Sequence, residues 1–154
     1  MKLLSAVLAL AVSATAAAAT EPTDQWLYRE VEGAGMANQP TAVFLDYAYT
    51  GVVLQAQCDR EAGDLVIDYF GDGVAKLAEG DELELIIGDD FLPMPTVLAD
   101  NRLQGRIAAQ TVLNAWGEGD QLAVSGPTER GDPWAAGAAE PFKTVAADCT
   151  AITP

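Results

Sequence analysis

Residues 52–58 read Val52-Val53-Leu54-Gln55-Ala56-Gln57-Cys58. In an extended strand successive side chains point to opposite faces, so residues two apart share a side. Val52, Leu54, Ala56 and Cys58 then fall on one side, and Gln55 and Gln57 on the other. This predicts a strand with one buried and one wet face, and Cys58 pointing inward at its end.

The same period continues in both directions. Gln25–Val31, with Trp26, Leu27 and Tyr28, reads as a first strand. Residues 41–49 are rich in β-branched and aromatic side chains, and their alternating row holds Val43, Leu45, Tyr47 and Tyr49. Residues 64–70 form another strand, and Gly71-Asp72-Gly73 after it predicts a tight hairpin turn. Residues 82–87 set Leu83, Leu85 and Ile87 against Glu82, Glu84 and Ile86. Thr96–Ala99 is short and extended, and residues 121–125 return to a strand. Residues 32–40, 88–95 and 126–139 carry Gly, Pro, Asn or Asp and read as loops.

Two segments break this rhythm. Residues 106–116 place Ile107, Gln110, Leu113 and Ala115 or Trp116 near helical spacing, and Gly117 and Gly119 end the run. Glu140-Pro141 opens a second helix, whose Phe142, Val145, Ala146 and Cys149 fall on one face. The expected fold is mainly β (β-rich α+β). It is either a single curled antiparallel sheet or a small sandwich, with one or two helices and one disulfide.

The chain has 154 residues, enough for one compact domain. Residues 1–19 fit a secretory signal peptide: Lys2, an apolar run over 3–12, and Ala17-Ala18-Ala19 as a small-residue cleavage site. Residues 20–154 are then a single β-rich exported domain, with no membrane span after the leader is removed, placed in the periplasm or secreted. Cys58 and Cys149 are the only cysteines, and an oxidising compartment makes a bridge between them the expected state. Such a bridge closes a loop of about 90 residues and contributes about 4 to 5 kcal/mol on chain-entropy arithmetic.

Charge and composition exclude several functions. A net charge of −15 lacks the basic footprint that nucleic-acid binding requires. The chain has no His, which removes the usual neutral-pH acid/base and the commonest transition-metal ligand. Ser125 has no His to activate it. Paired acids such as Asp89-Asp90, or Asp68 with Asp72, read better as solvated turns. Gly71-Asp72-Gly73 and Gly88-Asp89-Asp90 offer oxygens to calcium but lack the EF-hand pattern. No catalytic residue, cofactor or metal is expected. Two explanations of the acidity stand: an acidic proteome, which acids scattered along the chain favour, and a cationic partner.

Apolar residues among chain breakers are the candidate contact points. They lie in Phe91-Leu92-Pro93-Met94-Pro95 and in Asp132-Pro133-Trp134. Phe91, Met94 and Trp134 are the candidate interaction residues. The competing reading, favoured for Phe91 and Leu92, folds them back as a lid on the core.

An early Trp26, a strand ending in Cys58, a Gly119-Asp120-x-Leu122-x-Val124 strand after a helix, and a final Phe142, Val145, Cys149 segment also occur together elsewhere. In this layout the chain resembles the periplasmic accessory proteins of type VI secretion clusters and related uncharacterised exported bacterial proteins. Gly137-Ala138-Ala139 stands where that pattern has Gly-Ser before the last helix. The resemblance implies a disulfide-stapled β domain of the bacterial periplasm and transfers no catalytic residue. The expected function is a non-catalytic, acidic envelope domain acting through protein–protein contacts. One alternative is an inhibitor of a basic envelope-degrading enzyme such as lysozyme. The other is a carboxylate-based glycan-binding or hydrolysing module, marked by two acids about 5 to 9 Å apart in a groove.

Overall fold

The computed structural model describes residues 25–31, 39–46, 51–71, 76–118, 120–127 and 140–151. The expected leader at 1–19 lies outside the described residues. In chain order the strands are β1 (Gln25–Val31), β2 (Gln39–Asp46), β3 (Gly51–Asp59), β4 (Asp64–Tyr69), β5 (Leu83–Ile87), β6 (Asp90–Met94), β7 (Thr96–Ala99) and β8 (Arg102–Ala108). Helix α1 (Ala109–Ala115), strand β9 (Leu122–Ser125) and helix α2 (Glu140–Thr150) follow. The architecture is β-rich with two helices. It holds two antiparallel sheets rather than one curled sheet: six strands in the order β1-β2-β3-β4-β8-β7, and three in the order β6-β5-β9.

The alternation in β3 decides the layering. Leu54, Ala56 and Cys58 are buried, while Gln55 and Gln57 are half-buried on the other face. Leu54 lies between Phe44 and Tyr69, and Ala56 between Ala42 and Ile67. Trp26 continues the first of these rows beside Phe44. The pairing of β2 with β3 shifts at Phe44/Leu45, which leaves Val53 as an extra residue on β3. Past that shift it is Val53 that is fully buried in the core, and Val52 is only half-buried.

Helix α2 closes this face. Its Phe142, Val145, Ala146 and Cys149 are all buried against β1, β2 and β3, as the helical spacing predicts. The Phe142 ring lies 5.2 Å from Trp26, edge-on, and Trp26 lies 5.6 Å from Phe44. Trp116, just past α1, tilts against Phe142 at 6.5 Å, and the Lys143 ammonium sits over its ring at 5.5 Å. Cys149 is bonded to Cys58 with a Cα–Cα distance of 5.3 Å, so the bridge staples α2 to the end of β3.

The two sheets join where β6 runs into β7 through Pro95. The Thr96 hydroxyl accepts from the Leu83 N–H at 3.1 Å and donates to the Met94 carbonyl at 2.9 Å. Gly105 on β8 leaves space for Met94 at this junction, since a Cβ there would stand 3.3 Å from the Met94 Cβ. The Tyr69 hydroxyl, at the end of β4, donates to the Pro127 carbonyl beyond β9 at 3.0 Å.

Four expectations need correction. Asp72 and Gly73 lie outside the described residues, but β4 does not pair with the next strand as the hairpin predicted at Gly71-Asp72-Gly73 requires: β4 is flanked by β3 and β8, and β5 belongs to the other sheet. Residues 88–95 are not a loop. Gly88 and Asp89 turn a hairpin into β6, whose Pro93 is tolerated because β6 is an edge strand. The helix predicted from 106 starts at Ala109. Residues 102–108 are a strand instead, returned from β7 by Asp100-Asn101, which adopt the positive φ values of 50° and 61° that a two-residue hairpin favours. In β2 the side that meets the helix is Ala42 and Phe44, one residue out of step with the Val43–Leu45 row. Val43 is nonetheless buried on the opposite face. Tyr47 and Tyr49 lie outside the described residues.

Reduction of Cys58–Cys149 is expected to lower unfolding free energy by about 4 to 5 kcal/mol. Urea titrations with and without reductant measure it, and coincident midpoints would show that the staple contributes nothing.

Candidate functional site

Each sheet gives one face to the shared core; the other is outward, though on the six-stranded sheet Val43, Thr41 and Asp68 are buried there too. On the three-stranded sheet the outward row is Phe91, Ile86 and Ala123, followed by Pro93, Glu84 and Ser125. Phe91 is 64% exposed, and Ile86 and Ala123 beside it are half-buried. The sequence favoured folding Phe91 back as a lid; it stands outward because it sits on the solvent side of a strand. Leu92, one residue on, points the other way and packs against the core. Met94 shares that inward parity and is only 4% exposed, so it is a core residue and not a contact residue. Trp134 and its Asp132-Pro133 neighbours lie outside the described residues.

The charge around Phe91 is of one sign. Residues 77–101 carry Glu79, Asp81, Glu82 and Glu84, then Asp89, Asp90 and Asp100, with no Lys or Arg. All but Asp81 are exposed. Asp81 instead accepts from the Ala78 N–H at 2.7 Å and holds the turn that precedes β5. The turn beneath Phe91 is fixed by Gly88, with φ 56°. Its N–H donates to the Gln121 carbonyl at 3.0 Å, and a Cβ there would stand 2.8 Å from Asp120 Oδ1. Asp120 is itself held, accepting from the Gly117 N–H at 2.6 Å. The hairpin that presents Phe91 is therefore tied to the segment entering β9.

The outward face of the six-stranded sheet has the opposite character. Its central row is Val97, Gln104, Asp68 and Gln55, and the next is Arg106, Val66, Gln57 and Thr41. Asp68 is buried, 4% exposed, and accepts from Gln104 Nε2 at 2.9 Å and Gln55 Nε2 at 3.4 Å. Arg102 Nε lies 3.3 Å from the same carboxylate, a charge contact without a well-directed hydrogen bond. Gln57 Nε2 donates to the buried Thr41 hydroxyl at 3.1 Å. Gln55, Gln57, Val66, Asp68, Arg102 and Gln104 line a groove of about 420 Å³, together with the turn bearing Asp59, Arg60 and Glu61.

The carboxyl pKa of Asp59 is lowered from its ordinary value. The largest cause is the hydrogen bond from Arg106 Nη1 at 2.8 Å, followed by the Ala62 backbone N–H at 3.4 Å. An acid kept ionised is the reverse of what a general acid in glycoside hydrolysis needs. Asp89 and Asp90 lie exposed at the β5–β6 turn, and Asp72 lies outside the described residues. Ser125 faces Glu84 across the strands. Among the described residues no group of three or more acids and cysteines is placed to hold a metal ion. No helix among them is long and apolar enough to cross a membrane.

The Phe91 face was half-legible: residues 82–87 gave β5 away, but two prolines concealed β6. The groove was missed. Its signal was the Gln55/Gln57 side of β3, which marked a wet face without saying that Gln104 and Asp68 would join it. No protein-family model, curated protein or solved structure matches the chain.

Two outcomes follow. Gly88→Ala is expected to destabilise by about 1 to 3 kcal/mol, from the positive φ and the crowding by Asp120; an unchanged thermal midpoint would refute that role. Asp59, with its folded pKa depressed, contributes stability that is present above its unfolded value and is lost as pH falls through the folded one. Arg106→Ala should move the Asp59 carboxyl titration upward in NMR, and an unmoved titration would contradict the pairing.

Proposed function

We propose that the chain is an exported, non-catalytic domain that binds a basic protein of the cell envelope through the Phe91 face. One observation carries this reading: an aromatic ring, 64% exposed, stands on a strand face within a 25-residue stretch (77–101) that holds seven acids and no base. An exposed aromatic supplies the desolvation energy of a contact, and a field of one sign speeds encounter with a partner of the other. The chain's overall charge of −15 acts in the same direction. Export is supported by the leader-like residues 1–19 and is compatible with the Cys58–Cys149 bridge. The resemblance to periplasmic accessory proteins of type VI secretion clusters supports the same compartment.

Inhibition of a basic muramidase such as lysozyme is the narrower form of this reading, and it rests on the same acidic rim. Immobilised protein should retain a basic envelope protein at about 50 mM salt and release it at about 500 mM, where screening falls within a few ångströms. Phe91→Ser should weaken retention by about 2 kcal/mol or more while leaving the circular dichroism spectrum unchanged. Equal retention by wild type and Phe91→Ser would overturn the proposal. Slowed lysozyme turnover at low salt, relieved by Phe91→Ser, would assign the partner class.

A further inference from the structure

The groove on the six-stranded sheet is electrically unlike the rest of the molecule. Four of the five arginines, Arg29, Arg60, Arg102 and Arg106, belong to this face. At the groove three carboxylates, Asp59, Glu61 and Asp68, stand among three of those arginines. Asp59 is paired with Arg106 and Asp68 with Arg102. The site is thus charge-balanced on a chain that carries −15 overall.

What it offers is hydrogen bonding. Gln55, Gln57 and Gln104 each spend an amide N–H within the protein, on Asp68 or Thr41. Those bonds fix the planes of the three amides. An amide oxygen can accept two bonds and the nitrogen can donate two. Among the described residues, no bond is made to the three Oε1 atoms. Arg102, whose Nε faces Asp68, is only part-buried, and its guanidinium is a donor at the groove. Acceptors and donors therefore alternate along one groove, held in place by a buried carboxylate. A volume of about 420 Å³ falls in the range of small-ligand sites, roughly 300 to 1,000 Å³.

We infer that this groove binds a neutral, hydroxyl-rich ligand, an oligosaccharide, free or as part of a glycan polymer. A hydroxyl both donates and accepts, so it matches an amide–guanidinium lining better than a group that does only one. A net charge on the ligand gains little where three acids and three bases cancel. A basic peptide would be drawn to the Phe91 face, and an anion would meet the field of the whole chain. The inference goes beyond the protein-contact reading and stands on a different sheet.

The test uses the exported chain and a panel of neutral tetrasaccharides: chitotetraose, cellotetraose and maltotetraose. Each is titrated to about 10 mM, which detects binding at the millimolar level, while the side-chain amide resonances of Gln55, Gln57 and Gln104 are followed by NMR. At least one sugar should shift these resonances. Gln104→Ala and Gln55→Ala, both at the solvent face, should each weaken binding about tenfold, as loss of a hydrogen-bonded pair does. Binding should survive about 500 mM salt, because a neutral ligand is not held by charge. Phe91→Ser should leave it unchanged, which separates failure here from failure of the protein-contact proposal. Co-sedimentation with insoluble peptidoglycan that Gln104→Ala abolishes would identify a polymer as the source; sugar binding without co-sedimentation would identify free saccharides. No shift with any of the three sugars, or binding to Gln104→Ala as tight as to the wild type, would overturn the inference, as would tighter binding of an acidic oligogalacturonide.

Discussion

Phe142 occupies the angle between Trp26 and α1's exit at Trp116, and this contact lets the six-stranded sheet be two-faced. A sheet buried on both sides needs apolar residues in every position, whereas one covered on a single side can alternate. Helix α2 supplies that cover over β1, β2 and β3. The residues beneath it, Phe44, Leu54 and Ala56, are apolar. Those pointing away, Gln55, Gln57 and Asp68, are free to be polar. The second sheet takes up the same function over β8, where Gly105 makes room for Met94. Each sheet thus keeps an outward surface that packing does not dictate.

Those two surfaces have diverged in chemistry. One is acidic and apolar, with Phe91 standing among carboxylates. The other gathers arginines and amides around a buried carboxylate whose partners are all side chains. The acidity that looks diffuse along the sequence is concentrated in space, because the stretch without a Lys or Arg builds the three-stranded sheet's exposed hairpin and the strand leading out of it. Three arginines return on β8 and on the β3–β4 turn, Arg102, Arg106 and Arg60, both at the other surface.

Local periodicity carried much of this. The alternation in β3 and β5 and the i, i+3, i+4, i+7 face of α2 were legible because each element meets the core on one side only. Cys58 and Cys149 were legible because nothing else could pair with either. Where the reading failed, a local signal competed with a pairing that is not local. Pro93 and Pro95 argued for a loop until β6 proved to be an edge strand. Ile107, Gln110 and Leu113 fit a helix, yet Leu103, Gly105 and Ile107 fit the strand that β4 required. The groove was out of reach, since Gln55 and Gln104 are 49 positions apart and no spacing rule links them.

The strand order has a consequence for how the chain assembles. Strand β4 receives β8 as its second neighbour, but β5, β6 and β7 are synthesised between them. A chain appearing from its N-terminus therefore completes a four-stranded meander whose last strand shows an open row of N–H and C=O groups. That edge stays open until about forty more residues have emerged, and its inward side exposes Leu65, Ile67 and Tyr69 for as long. The interval is a window for pairing with the wrong strand, in the same chain or in a neighbouring one. The Asp100-Asn101 hairpin shortens it: β7 and β8 can form as a local ribbon and dock in one step, so the vacancy is filled by a preassembled pair rather than by a lone strand in search of its register.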